Sequence, residues 1–333
     1  MIEDLWFDKR TAERRALRRF GTADGLAMLG FTMLGNVLLM ALIRIPAVRS
    51  LYLNVPLFSI SLDSILSVVY IGVPFLIALR IKRGAGFSSD LEFSVPKDKG
   101  RAALLILMGL GACIAGSYAT QYFSVFIEET TGVTFSYTFF ERPAGAIGLA
   151  VYFVRVAIIP PVTEEFAMRK VVMTPLRRYG DVFAIVVSSV MFGLLHGNMV
   201  QLPFAMIAGC AIGYADIQTG SLLPGMIIHF ANNFFSIVEE LLAEGVPDDA
   251  QIYLLIPHAA MIIAGVICAA VYFGGRMSVS LERPKTELSR GRKTAAYFLA
   301  PAMILAVLLM LFQTLLTTSL GERLIENLLP PAR

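Results

Sequence analysis

Two adjacent glutamates, Glu164 and Glu165, lie in the apolar segment IIPPVTEEFAMRK, residues 158–170. On insertion scales, placing an Asp, Lys or Arg at the centre of a membrane helix costs about 2.5–3.5 kcal/mol of free energy. Carboxylates in such a segment therefore need a partner, a proton or a reaction. The alternative is that both side chains reach water at the end of the segment, which Arg169 and Lys170 mark.

The spacing of the glutamates from Arg169 gives them different roles. Glu165 precedes Arg169 by four residues, the favoured order for an ion pair on a helix. Adjacent helix residues point about 100° apart, so Glu164 faces elsewhere and is free to act as a base. We expect Pro160 and Pro161 to interrupt the preceding helix and to begin the short helix that displays both glutamates.

Two later segments each place two side chains on one helix face. Phe192 and His196 are four residues apart in FGLLHG, and His229 and Asn233 are four apart in HFANN. A single histidine in an apolar helix is as often a hydrogen-bonded packing residue as a functional one. Two histidines, an amide and a glutamate pair on neighbouring helices favour one shared site. The third histidine, His258, is interpreted as interfacial and without a role.

In chain order the motifs read EExxxR, FxxxH and HxxxN. Together they resemble the CAAX protease and bacteriocin-processing (CPBP, or Abi) family of membrane proteins, which includes the type II CAAX prenyl endopeptidases. The resemblance covers residues 144–240. Each motif alone is weak, but the three in this order on successive hydrophobic helices are specific. The resemblance implies a glutamate-dependent intramembrane protease.

The resemblance also implies a role for each motif residue. Peptide hydrolysis needs an activated water, a proton donor for the leaving amine and stabilisation of the oxyanion. Glu164 would take a proton from water, and His196 would share that water or donate to the amine. His229 and Asn233 would donate to the oxyanion. The expected catalytic residues are Glu164, His196, His229 and Asn233, supported by Glu165, Arg169 and Phe192.

No cofactor is expected at this site. Zinc is the alternative, since Glu164, His196 and His229 are the ligand types of a His₂Glu metalloprotease site. The chain has no HExxH helix, the arrangement that sets two histidines and a base on one face. The three cysteines lie in apolar runs without metal or redox spacing, and they are predicted to be reduced packing residues.

The expected substrate is a membrane-associated or hydrophobic peptide or protein C-terminus, and a prenylated CAAX-type C-terminus is one candidate. The lipid bilayer is the other expected partner, and no nucleic acid is expected. Two other functions stay open: a non-catalytic immunity or scaffold protein of the same fold, and a transporter that relays protons. Intact motifs argue against the scaffold, and the lack of an inverted repeat of the spans argues against the transporter.

The elements that must position these residues are membrane helices. Of 333 residues, 56% are hydrophobic and 16% are charged, and the mean hydropathy is +0.70. Soluble domains have about 25% charged residues, and several apolar runs here exceed the roughly 18 residues of a candidate membrane span. The nine candidate helices are 24–43, 60–79, 102–123, 144–168, 182–198, 200–216, 221–238, 252–274 and 296–320.

The basic residues predict the orientation of these spans. Most of the 28 Lys and Arg residues fall in 9–19, 80–101, 169–178 and 276–293, whereas the loops between them hold acids. The positive-inside rule then places the N-terminus in the cytoplasm, in a bacterial cytoplasmic membrane or, for a eukaryote, the endoplasmic reticulum. The predicted fold is an all-α polytopic membrane protein with eight to nine transmembrane helices enclosing an intramembrane active site open to the cytoplasmic side.

The chain divides into four predicted segments. These are a cytoplasmic amphipathic or basic N-terminal segment (1–23), N-terminal transmembrane helices (24–143), the catalytic helical core (144–240) and C-terminal transmembrane helices (241–333). In the first segment the apolar side is expected to hold Leu5, Trp6, Phe7, Leu17 and Phe20. Arg155, inside a span, is a functional candidate, but we interpret it as one half of a structural ion pair and leave it outside the site.

Overall fold

The computed structural model describes residues 2–84, 86–87, 91–136 and 142–328, and every regular element in those ranges is helical. The helices are α1 (Ile2–Leu42), α2 (Pro46–Asn54), α3 (Pro56–Gly84), α4 (Lys99–Thr131), α5 (Gly145–Tyr179), α6 (Asp181–Leu195), α7 (Gln201–Thr219), α8 (Leu223–Gly245), α9 (Leu255–Gly274), α10 (Arg290–Phe298), α11 (Pro301–Leu316) and α12 (Ser319–Leu328). The predicted all-α class is confirmed.

Five helical stretches are long and apolar enough to cross a membrane: most of α1, α3, α4, α5 and the run Ile252–Gly274 that contains α9. A sixth is added if α10 and α11, which meet at a bend of 80°, count as one broken span. α6 is apolar but has only 15 residues, fewer than the about 20 that cross a bilayer. The chain is therefore an integral membrane protein, and the count of eight to nine spans stays a prediction.

The N-terminal segment is continuous with the first span. Leu17 and Phe20, expected on a membrane surface, are 0% and 2% exposed in the protein core of the uninterrupted α1. Further along α1, Asp24 accepts hydrogen bonds from Lys82 Nζ at 2.5 Å and from the Tyr297 hydroxyl at 2.6 Å. These bonds join α1 to α3 and α10. The side chains of Leu5, Trp6 and Phe7 lie outside the described ones.

The prolines do not begin a new helix, so this prediction was wrong. α5 runs through Pro160 and Pro161 without a break. A π turn is wider than an α turn, and π turns beside the prolines give room to rings that clash with the carbonyl four residues earlier in an α-helix. The stretches Val154–Ile158 and Phe166–Met173 are π-helical, with Ile159–Glu165 α-helical between them. Glu164 therefore lies in the middle of a long helix.

α4 and α9 pack along each other through a pair of glycines. A Cβ on Gly111 of α4 would lie 2.9 Å from the Cα of Gly265 on α9, closer than real Cβ atoms approach other atoms. Small residues at such crossings let two membrane helices approach by their backbones. The crossing fixes the positions of two helices that border the cavity of the candidate site.

Candidate active site

Glu165 and Arg169 form a buried ion pair on α5. Both side chains are fully buried, and Arg169 Nε lies 3.0 Å from Glu165 Oε2. The pair predicted from the four-residue spacing is therefore present, and it holds two opposite charges together where water is excluded.

His229, on α8, lies between the two glutamates. Its Nδ1 is 2.9 Å from Glu165 Oε1, and its Nε2 is 3.8 Å from Glu164 Oε2. A carboxylate only accepts hydrogen bonds, so His229 donates from Nδ1 and turns Nε2 toward Glu164. The 3.8 Å separation is beyond direct hydrogen bonding. Glu165 thus bridges His229 and Arg169, a contact between helices that the spacing within each motif did not reveal.

His196 directly follows α6 and is its C-terminal cap residue. Its Nδ1 lies 2.9 Å from the backbone carbonyl oxygen of Phe192. Because the carbonyl accepts, Nδ1 carries the proton, and Nε2 of the neutral ring is an acceptor. His196 is therefore able to take a hydrogen bond, or a proton, from a water molecule at Nε2.

Phe192 contacts both histidines and the buried ion pair. Its ring meets His196 edge-on with centroids 4.9 Å apart, and it meets His229 edge-on at 5.7 Å. The guanidinium carbon of Arg169 lies 5.2 Å from the centroid of the same ring, within the range of a cation–π contact. Phe192 therefore restricts the orientation of both imidazoles, which fits its expected supporting position.

Asn233 fills a gap in the backbone bonding of α5. Its Nδ2 donates to the carbonyl oxygen of Val156 at 2.9 Å. The amide that would bond this carbonyl belongs to residue 160 in an α turn and to residue 161 in a π turn, and both are prolines without N–H. In a membrane helix an unsatisfied carbonyl is costly. Asn233 thus binds α8 to α5 where the prolines leave a free acceptor.

One cavity of about 880 Å³ joins these residues. Its size falls within the roughly 300–1,000 Å³ of typical ligand pockets. Its lining includes the predicted catalytic residues Glu164, His196, His229 and Asn233, together with Phe192. The structure therefore brings all four side chains to one space, while the ion pair of Glu165 and Arg169 lies behind them in the core.

The cavity extends toward the acidic end of the helix bundle. Along α8 its lining continues from His229 to Glu239, Glu240 and Ala243, and it reaches His258 near the start of α9. This end is opposite the loops that carry most of the basic residues. The expected opening at the basic, cytoplasmic end is therefore not supported by the direction of the cavity.

The 91–98 segment covers the basic end of the site. Lys170 Nζ donates to the carbonyl oxygen of Leu91 at 2.7 Å and pairs with Glu92 Oε1 at 2.6 Å. The amide of Leu222, just before α8, donates to the carbonyl oxygen of Glu92 at 2.9 Å. These bonds tie α5 and α8 together on that side, which is the physical reason that the cavity leads the other way.

Asp216, on α7, is a buried carboxylate that the motif search missed. It is 0% exposed, and its Oδ1 accepts a hydrogen bond from the amide of Gly225 at 2.8 Å. It also lies within electrostatic range of Arg169 and Glu165. The bond to Gly225 fixes the first turn of α8, the helix that carries His229. An acid inside an apolar stretch was the signal that would have found it.

Arg155 and His258 both line the cavity, although neither was placed in the site from sequence. Arg155 is 9% exposed. It donates a hydrogen bond to the Tyr70 side chain and interacts electrostatically with Asp63. His258 is 7% exposed, and its interfacial position stays a prediction. Its Nδ1 lies 3.1 Å from the Tyr118 hydroxyl, and its Nε2 lies 3.2 Å from Glu239 Oε2. His258 therefore connects α4, α8 and α9 along the cavity.

Among the described residues, no group of three or more His, Cys, Asp and Glu side chains has an arrangement that could hold a metal ion. The cysteines Cys113, Cys210 and Cys268 are free, with Cys210 exposed and the other two buried. The expectation that no cofactor is needed stays a prediction, to be tested with chelators.

Comparison with known proteins finds a family match in the same part of the chain. Residues 146–235 match the model for the type II CAAX prenyl endopeptidase Rce1-like family. A relative from Staphylococcus aureus (strain USA300), the membrane-embedded CAAX protease MroQ, is 31% identical over 106 residues, which span 30% of this chain and 42% of that relative. No solved structure matches the chain. The resemblance inferred from the three motifs is confirmed: residues 146–235 are similar to the Rce1-like type II CAAX prenyl endopeptidases.

Proposed function

We propose that the protein is an intramembrane endopeptidase that hydrolyses a peptide bond with water activated by Glu164 and His196. The observation that carries this proposal is the position of His229 between the two glutamates at the wall of a cavity lined by all four predicted catalytic residues. The match to a family of CAAX endopeptidases supports the same reaction class.

Glu164 and His196 would activate the water. The Glu164 side chain is 15% exposed, so it reaches the cavity without being fully solvated. His196 has an acceptor at Nε2 because its Nδ1 proton is held by a backbone carbonyl. Water then attacks the peptide carbonyl and gives one proton to these bases. The same proton is delivered to the leaving nitrogen, so one water and one peptide yield a carboxylic acid and an amine.

The two side chains expected to stabilise the oxyanion have specific requirements. His229 donates Nδ1–H to Glu165, so a second donor at Nε2 requires the protonated ring. Asn233 uses Nδ2 to bond Val156, and the amide nitrogen carries a second N–H. In this proposal the second N–H and His229 Nε2–H both point to the developing oxyanion.

We further propose a membrane-associated peptide as substrate, with a prenylated CAAX-type C-terminus as one candidate. The cavity is lined by aromatic and aliphatic side chains as well as polar ones, which suits an amphipathic or lipid-bearing segment. The relative from Staphylococcus aureus is called a membrane-embedded CAAX protease. A cytoplasmic N-terminus remains part of the proposal on the basis of the basic loops.

Two alternatives make different predictions. A scaffold or immunity protein of the same fold would bind a partner without cleaving it. A zinc protease would use Glu164, His196 and His229 as ligands, and its activity would be lost to a chelator and restored by zinc. A glutamate-dependent enzyme would keep its activity in the chelator.

The direct test is cleavage by the purified full-length protein in detergent. The protein is incubated with hydrophobic and prenylated peptides, with and without chelator, and products are identified by mass. We expect wild-type protein to release defined fragments in the chelator and Glu164→Gln protein to release none. If the wild-type protein yields no product from any peptide, the scaffold alternative gains and the proposed function is lost.

A further inference from the structure

The cavity presents mostly negative charge to a substrate. Its lining includes the carboxylates of Glu164, Glu239 and Glu240. Of the described residues that line it, Arg155 is the only lysine or arginine. A peptide that enters this space by its carboxyl end carries a negative charge past these acids, and a carboxylate removed from water needs a cation or several donors to be stable.

Arg155 lies on the same helix as the proposed base. It is nine residues before Glu164 on α5, which corresponds to about 13 Å along a helix axis. Tyr70, on α3, also lines the cavity and lies within electrostatic range of both Arg155 and Glu164. The guanidinium and the proposed base are therefore at different depths of one space, with room for a short stretch of extended chain between them.

The surroundings of Arg155 hold its guanidinium in place. The guanidinium donates a hydrogen bond to the Tyr70 side chain, and Asp63 on α3 interacts with it electrostatically. Asp63 is itself contacted by the Tyr52 hydroxyl, 3.3 Å from each carboxylate oxygen. A guanidinium presents its five N–H donors in a fixed fork, and these neighbours fix the direction in which that fork points.

We propose that Arg155 is the specificity-determining residue that binds the C-terminal carboxylate of the peptide substrate, with Tyr70 beside it. This inference rests on the proposed function and adds the chemical group by which the substrate is chosen. A guanidinium binds a carboxylate through two parallel N–H···O bonds, which a neutral carboxamide cannot accept in the same way. The alternative is that Arg155 only pairs with Asp63 to join α3 and α5.

The test compares two forms of one peptide that the wild-type protein cleaves. One form ends in a free carboxylate and the other in a carboxamide, and kcat/KM is measured for each. Wild-type protein is expected to prefer the free acid by roughly 10- to 100-fold, the range for hydrogen bonds to a charged group. Arg155→Gln protein is expected to lose the preference, and Arg155→Lys protein to keep only part of it because an ammonium lacks the fork.

Arg142 provides the matched control. It pairs with Glu244 at 2.6 Å near the acidic end of the bundle and is not among the residues that line the cavity. Arg142→Gln protein should therefore keep the full preference for the free acid. A purely structural role for Arg155 would lower cleavage of both peptide forms by the same factor and leave their ratio unchanged.

Two outcomes overturn the inference, and they are distinguishable. If wild-type protein cleaves acid and amide equally well, or if Arg155→Gln protein keeps the wild-type ratio, carboxylate recognition by Arg155 is wrong and the proposed protease function stands. If wild-type protein cleaves neither this peptide nor any other, the proposed function itself fails, and the inference fails with it.

Discussion

At the scale of single residues, the two adjacent glutamates have different surroundings. Glu165 is fully buried and is shared by Arg169 and His229. Glu164 is 15% exposed and borders the cavity. Spacing along one helix was enough to separate them, since i,i+4 pairs follow from helix geometry. The bond from His229 to Glu165 was beyond that reasoning, because the two residues lie on different helices and are 64 positions apart in the chain.

The two glutamates should therefore differ in their effect on stability. Glu165→Gln leaves Arg169 as a buried charge without its partner, and breaking such a pair typically costs about 3–5 kcal/mol. Glu164→Gln removes a partly exposed carboxylate that makes no direct hydrogen bond to His229, so its effect on unfolding should be small.

Thermal unfolding in detergent checks this difference. We expect a clearly lower midpoint for Glu165→Gln protein than for Glu164→Gln protein, which serves as the matched control one residue away. Equal midpoints for the two variants would contradict the distinct roles assigned to the two carboxylates.

At the scale of helices, the prolines of α5 and the amide of α8 form one unit. The sequence indicated both features but not their connection, because the carbonyl of Val156 loses its amide partner only when α5 continues through Pro160 and Pro161. We expected a helix break there, since proline usually ends a helix. The π-helical stretches that let α5 continue have no simple signal in the sequence, so this part of the site was not predictable.

This connection predicts a coupling between Asn233 and Pro160. Asn233→Ala leaves the carbonyl of Val156 unsatisfied, at a cost of about 1–3 kcal/mol. Pro160→Ala restores an N–H four residues after Val156, so the same Asn233→Ala change should cost less in that background.

A double-mutant cycle measured by unfolding in detergent tests the coupling. Asn232→Ala is a control, because the neighbouring amide contacts Asn233 at 3.3 Å and not Val156. If Asn233→Ala costs the same with and without Pro160, the amide does not replace the missing backbone bond, and the account of α5 is wrong.

At the scale of the whole molecule, composition predicted the class of the protein. It did not predict the end of the helix bundle toward which the cavity leads. High hydropathy and long apolar runs indicated a helical membrane protein, and five stretches of the described chain meet the criteria for a span. The distribution of Lys and Arg indicated which loops lie on the same side of the membrane. The direction of the cavity depends on how the 91–98 segment packs against α5 and α8, which local patterns do not specify.

The basic loops and the cavity together predict that the cavity leads away from the cytoplasm. Glu240 lines it at the acidic end, whereas Arg283 lies in the basic connection before α10. In a background without the three native cysteines, Glu240→Cys should react with a membrane-impermeant maleimide applied outside intact bacterial cells. Arg283→Cys should react only after the membrane is permeabilised. The reverse order of labelling would show that the orientation or the direction of access is wrong.

Whether Glu164 activates the water is decided by the cleavage rate of Glu164→Gln protein on a peptide that wild-type protein cuts. General base catalysis contributes about 10²–10⁴-fold, so we predict a loss of at least about 10²-fold in kcat with an unfolding midpoint close to that of wild-type protein. Cleavage by well-folded Glu164→Gln protein at the wild-type rate would show that Glu164 is not the base.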